Sequence, residues 1–202
     1  MMRRIERENT GLLRPGQDLV VAGLAGQAGI RAIMNAKRRE LRQWFSEEYL
    51  ELAEHRACVS GDLGMEFWSM FGAAECEPAG EGGILAAVWN LSGAYETGVE
   101  FVLRRIPVTQ ETIEICERFE LNPYRLYSSG CYLLAAENGG RMVQELAGKE
   151  IPAQVIGKVN RGIKREVIHA ESRGFLDRPQ KDELRKVIPD YFGDTDAFSI
   201  QK

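Results

Sequence analysis

GEGGILAAVWNLSGAYETGVEF, residues 80–101, holds a complete helix-to-strand unit. Gly82-Gly83 opens it. Ile84, Leu85, Val88, Leu91 and Tyr95 then recur on one face at helical spacing. Gly98 stands where a helix-terminating glycine is common. Residues 99–103 read as a strand, and Pro107 closes the turn behind it.

The same alternation extends both ways. Upstream, residues 18–22 (DLVVA) read as a short buried strand. Gly23, Gly26 and Gly29 follow, and then a helix carries Ile30, Ile33, Met34, Leu41, Trp44 and Phe45. Ser46 is a natural N-cap for a second helix to about His55, with Glu47 and Glu48 favourable in its first turn. A short helix is expected over 63–70, and a strand over 73–77 stopped by Pro78. Downstream, Thr109 caps a helix bearing Ile113, Cys116 and Phe119, and Asn122-Pro123 makes a turn. CYLLAA, residues 131–136, is apolar throughout and reads as a central strand. A helix over 138–146 and a strand over 153–159 follow, with residues 164–169 as that strand's partner. Pro179 suits the first position of a helix running to Val187. Alternating strands and helices define an α/β or layered α+β domain.

With 202 residues, 44% apolar and 28% charged, the chain can bury a sizeable core. Its net charge of −4 argues against nucleic-acid binding. Residues 57–150 carry 6 basic and 14 acidic side chains, so an acidic body lies between mildly basic flanks. No apolar stretch approaches the ~20 residues that a membrane helix needs. The charged N-terminus MMRRIEREN lacks a signal core, so a cytoplasmic location is expected. Cys58, Cys76, Cys116 and Cys131 lack metal-type spacing and read as free thiols, with Cys116 and Cys131 in the core. With only His55 and His169, no metal site is expected.

The order of these pieces resembles the C-terminal domain of the aminoimidazole ribonucleotide (AIR) synthase superfamily, nearest to its hydrogenase-maturation type. The resemblance rests on PGQDLVVAGLAGQAGIRAI (15–33), GEGGILAAVWNLSGAYETGVEF (80–101) and IPVTQETIEICERFELNPYRLYSSGCYLLAA (106–136). AQVIGKV (153–159) and FLDRPQKDEL (175–184) complete it. It implies a mostly antiparallel sheet with helices packed on one face. It also implies a charged extension over 1–14, the domain proper over 15–188, and an irregular tail over 189–202. Such proteins usually bind ATP and magnesium through a separate N-terminal half rich in aspartate. The resemblance implies that this chain is the second half alone, with no cofactor of its own. ATP and magnesium would come only with a partner that supplies the ATP-binding domain. Relatives commonly show an acidic and a hydroxyl residue ahead of the paired glycines, where this chain has Pro78 and Gly80. The hydrogenase-maturation type ends in a cysteine, where this chain ends Ser199-Ile200-Gln201-Lys202. The implied role is a non-catalytic ligand-binding or assembly module, either a homodimer or paired with an ATP-binding protein. The alternative is the substrate-side subunit of an ATP-dependent enzyme.

Candidate ligand contacts are Gly82, Gly83, Ser128, Ser129 and Gly130; no catalytic residue is assigned. Free N–H groups and the helix dipole attract anions to a helix start, so the glycine pair suits a phosphate-bearing small molecule. The same pair also suits a tight strand-to-helix turn, and Glu81 would repel a phosphate. Ser128-Ser129-Gly130 offers hydroxyl and amide donors, or simply a polar turn into a buried strand. Gly23, Gly26 and Gly29 are spaced G-x-x-G-x-x-G, which is not the dinucleotide fingerprint.

Overall fold

The computed structural model describes residues 12–56, 59, 61, 63–169 and 172–193. The expected extension up to residue 11, the tail from residue 194, and Cys58 lie outside the described residues. Seven strands form one sheet: β1 (Asp18–Ala22), β2 (Ala73–Ala79), β3 (Gly98–Val102), β4 (Cys131–Ala136), β5 (Ala153–Asn160), β6 (Arg165–Ile168) and β7 (Arg173–Phe175). Their spatial order is β2-β4-β1-β5-β3-β6-β7, and every pairing is antiparallel except β3 with β6. Six helices accompany them: α1 (Gln27–Leu41), α2 (Glu47–His55), α3 (Met65–Ser69), α4 (Gly83–Ala94), α5 (Gln110–Arg118) and α6 (Gly139–Ala147). The α/β class and the mostly antiparallel sheet are as expected.

The helices cover both faces of the sheet rather than one. All six residues of β4 are buried, and they alternate between two cores. Cys131, Leu133 and Ala135 meet Ile84, Val88 and Leu91 of α4. Tyr132, Leu134 and Ala136 meet Trp68 of α3 and Met142 and Leu146 of α6. A strand apolar at every position requires an apolar layer on each side, which the one-face expectation did not allow. Each fully buried aliphatic side chain contributes roughly 1.5–3 kcal/mol, so β4 anchors both layers. A third cluster joins α1, α2 and α5 through Ile30, Ile33, Leu50 and Ile115.

Local cap chemistry follows the sequence. Ser46 Oγ accepts the Tyr49 N–H, and Thr109 Oγ1 accepts the Thr112 N–H. Four other expectations are corrected. β2 runs through Pro78 to Ala79, because β2 is an edge strand and a proline there breaks no ladder. Helix α4 ends at Ala94, and the residue that turns left-handed is Glu96 (φ 50°); Gly98 instead begins β3. β6 pairs with β3 and β7, not with β5. Residues 179–187 form only a 3-10 turn, Glu183–Lys186, capped by Asp182. Near the expected tail, Tyr191 and Phe192 pack on Tyr127. No helix among the described residues is long and apolar enough to cross a membrane.

Candidate functional site

The N-cap amide of α4 already meets a carboxylate of the chain. Gly82 (φ 84°) and Gly83 (φ 67°) both adopt a conformation that favours glycine. The Gly82 N–H donates to Asp182 Oδ2 at 2.6 Å. Asp182 Oδ1 accepts the Tyr127 N–H at 3.1 Å and the Leu184 N–H at 2.8 Å. The Asp182 residue is only 2% exposed. Burial pushes its carboxyl above the usual carboxylate value, against the opposing pull of the three amides, and Glu81 adds to the upward push. The Gly82 N–H thus meets a carboxylate supplied by the chain itself, 100 residues away, while no side chain caps the first-turn amides of α4. Gly83 also serves packing, since a Cβ there would lie 2.5 Å from the Tyr124 carbonyl oxygen.

The segment that carries Asp182 is fastened along its length. Leu184 is fully buried, and Glu183 Oε2 accepts the Asn122 N–H at 3.1 Å. Arg185 reaches back to Glu81 at 3.1 Å, so the carboxylate beside the glycine pair is paired with a cation.

Next to this closed helix start lies an open cleft of about 810 Å³. Its walls are Ala28 and Arg31 of α1, Val59 and Gly61, Pro78 and Ala79 of β2, Gly80, and Tyr127, Ser129, Gly130, Tyr132 and Tyr191. Arg31 is held in place by the end of α2: its Nε donates to the Glu54 carbonyl at 3.0 Å and its Nη2 to the Arg56 carbonyl at 2.8 Å. A cation there complements the negative end of the helix dipole. Ser129 is exposed at the cleft and Gly130 has a φ of 80°. Ser128 is fully buried behind it. Its Oγ accepts the Gly26 N–H at 2.8 Å and donates to the Leu126 carbonyl at 2.7 Å, which ties α1 to the turn.

The five candidate residues thus fall into three groups. Ser129 and Gly130 line the cleft, Gly82 and Gly83 sit at the start of α4, and Ser128 is an internal tie. Gly23, Gly26 and Gly29 are packing positions; a Cβ on Gly29 would lie 2.4 Å from Leu126 Cγ. His55 closes α2, its Nδ1 2.8 Å from the Glu51 carbonyl oxygen. Arg38, within the run Lys37-Arg38-Arg39 of α1, pairs with Glu47 and Glu54. Cys116 and Cys131 are buried, and burial above all, with Glu183 adding, pushes the Cys116 thiol up to about 12. Asp182, Arg31, Tyr127 and Tyr191 were not singled out from the sequence. Asp182 carried one signal, an acidic cap just ahead of Leu184, but its pairing with Gly82 is long-range. Among the described residues, no three His, Cys, Asp or Glu side chains converge to hold a metal ion.

Comparison with known proteins supports the fold. No family model and no curated protein matches the sequence. Among solved structures, the hydrogenase maturation protein HypE is similar over 87% of this chain and 56% of its own, at 17% identity and a TM-score of 0.64. A chain of a HypE–HypF complex is similar over 82% and 54%, at 16% identity and a TM-score of 0.58. Thiamine-monophosphate kinase from Stenotrophomonas maltophilia K279a is similar over 77% and 51%, at 18% identity and a TM-score of 0.57. The chain spans a little over half the length of these structures. It is thus a mixed α/β domain with the fold seen in part of HypE and of thiamine-monophosphate kinase.

Proposed function

We propose that this chain is a ligand-binding or assembly module that does not catalyse a reaction by itself. Its ligand is an anionic, phosphate-bearing small molecule held in the 810 Å³ cleft. The observation that carries this reading is the composition of the cleft wall: one guanidinium, the exposed Ser129, three tyrosines, Val59, Pro78 and small residues. Such a lining orients an anion and stacks on an apolar or aromatic body. The Gly82 N–H is left out of the contact, because it already donates to Asp182. HypE has been captured in a complex with HypF, which favours a protein partner for a domain of this fold.

The runner-up reading is a substrate-side subunit, with a separate protein supplying ATP, magnesium and the remaining catalytic groups. The shared fold with part of thiamine-monophosphate kinase favours it. Titration calorimetry with pyrophosphate, ribose 5-phosphate, thiamine monophosphate and AMP separates the ligand claim from a purely structural module. Binding of one of these that Arg31→Gln weakens about tenfold supports the cleft; no heat with any of them contradicts it.

A further inference from the structure

Three half-buried arginines sit against carboxylates, and a fourth, Arg31, donates to the carbonyls of Glu54 and Arg56. Arg38 holds Glu47 and Glu54 at 2.5 and 2.8 Å, Arg185 holds Glu81 at 3.1 Å, and Arg125 lies 3.8 Å from Asp177. Arg165 in β6 has neither arrangement: among the described residues no carboxylate and no carbonyl accepts from it. Its Nε donates to Ser92 Oγ, and its guanidinium carbon lies 4.1 Å from the centroid of the Trp89 ring. A Cβ at Gly93 would stand 3.4 Å from Nη2, so the last turn of α4 is trimmed where the guanidinium crosses it. The ring and the end of α4 offset part of the cost of burying this charge. Neither supplies the acceptors that the two Nη groups can engage.

The surroundings extend the same imbalance. Arg161 and Lys164, on the turn between β5 and β6, are both exposed, and neither is in an ion pair among the described residues. Ile163 between them is 71% exposed. In a chain of net charge −4, this is an unmatched positive patch with an apolar tip.

We infer that Trp89, Arg165 and the 161–164 turn form a docking surface for an acidic segment of a partner protein. A carboxylate of that segment takes the Nη edge of Arg165, its acidic neighbours pair with Arg161 and Lys164, and an apolar residue covers Ile163. Guanidinium–carboxylate pairs are the strong, directional form of this contact, and arginine and tryptophan recur as interface anchors. A nucleic acid fits less well. The guanidinium already occupies a face of Trp89 where a base would stack, and three cations give little counterion release. None of these residues lines the cleft, so the surface stands or falls separately from the ligand reading.

The test uses the whole chain and a fluorescein-labelled peptide of glutamates around one central leucine. A labelled oligothymidine and the matching lysine peptide are the controls. Polarisation reports affinity, and the Arg165 Nε–H resonance, assigned by its loss in Arg165→Gln, reports the place. The expected result is saturable binding of the glutamate peptide that weakens as salt rises and shifts the Arg165 resonance. Arg161→Glu with Lys164→Glu, both exposed and so tolerated by the fold, should weaken it at least about tenfold. An unmoved Arg165 resonance overturns the proposal. So does an unchanged affinity after the charge reversals, or tighter binding of the oligonucleotide than of the peptide.

Discussion

Asp182→Ala tests the closed helix start directly. The substitution removes the acceptor of three backbone N–H groups, those of Gly82, Tyr127 and Leu184. A buried donor left unpaired costs about 1–3 kcal/mol. The adjoining hollow beside Gly82 has a volume of about 10 Å³, close to the size at which one water is admitted, so part of the loss is recovered. The carboxylate itself is desolvated, and removing it returns some of that cost. The net expectation is a loss of about 2–4 kcal/mol, a fall in Tm of roughly 5–12 °C for a domain of this size. Asp182→Asn keeps one acceptor but turns an amide group toward the other donor, so it should fall between alanine and wild type. The sign of the pH dependence also follows. The folded-state pKa of Asp182 is raised, so its contribution is fully present below the ordinary carboxylate value and is lost as pH rises through the folded value. The margin of wild type over Asp182→Ala should therefore narrow across that window. Calorimetry reads the stability, and amide exchange reads the site. A Tm within about 1 °C of wild type, with exchange at Gly82 and Tyr127 unchanged, would refute the idea that this carboxylate holds the start of α4.

Three further outcomes follow from the same structure. Gly83→Ala, at φ 67° and with a Cβ 2.5 Å from the Tyr124 carbonyl oxygen, should cost about 3–5 kcal/mol by chemical denaturation, whereas Gly174→Ala, with no positive φ and nothing within 4 Å, should cost far less. Burial raises the Glu111 carboxyl, but the Arg56 guanidinium that donates to its Oε1 helps to outweigh that and leave it below the usual value. Its contribution is present above the ordinary carboxylate value and disappears as pH falls through the lowered one, so Glu111→Gln should flatten the acid limb of a stability–pH profile. Cys116, its thiol pushed up to about 12, should resist alkylation at neutral pH in the folded protein and react on unfolding, as peptide mass mapping would show.

What could be read from the sequence was local or periodic. Ser46 and Thr109 declared themselves because a cap bonds an amide three residues on. The apolar run from Cys131 to Ala136 marked the central strand, since every position needs an apolar neighbour. The misread elements depended on neighbours distant in sequence. Pro78 stops a strand only when the strand has a partner on its N–H side, and β2 has none there. The partner of β6 is set by sheet order, which places β3 beside it and β5 one strand further away. At the candidate site, the glycine pair marked the start of α4, but the carboxylate that the Gly82 N–H meets lay 100 residues away in Asp182. Ser128 and Ser129 looked alike as neighbours. The fold buries the first as a tie to Gly26 and exposes the second to the cleft.

The central claim is that the ligand occupies the cleft beside α1 while Asp182 keeps the start of α4 closed. Amide chemical-shift mapping during titration with whichever phosphate-bearing compound gives heat in calorimetry addresses both parts at once. The account predicts shifts at Ala28, Gly80, Ser129 and Gly130, with Gly82 and Gly83 unmoved. Shifts concentrated at Gly82 and Gly83, with loss of the Asp182 hydrogen bond, would contradict it.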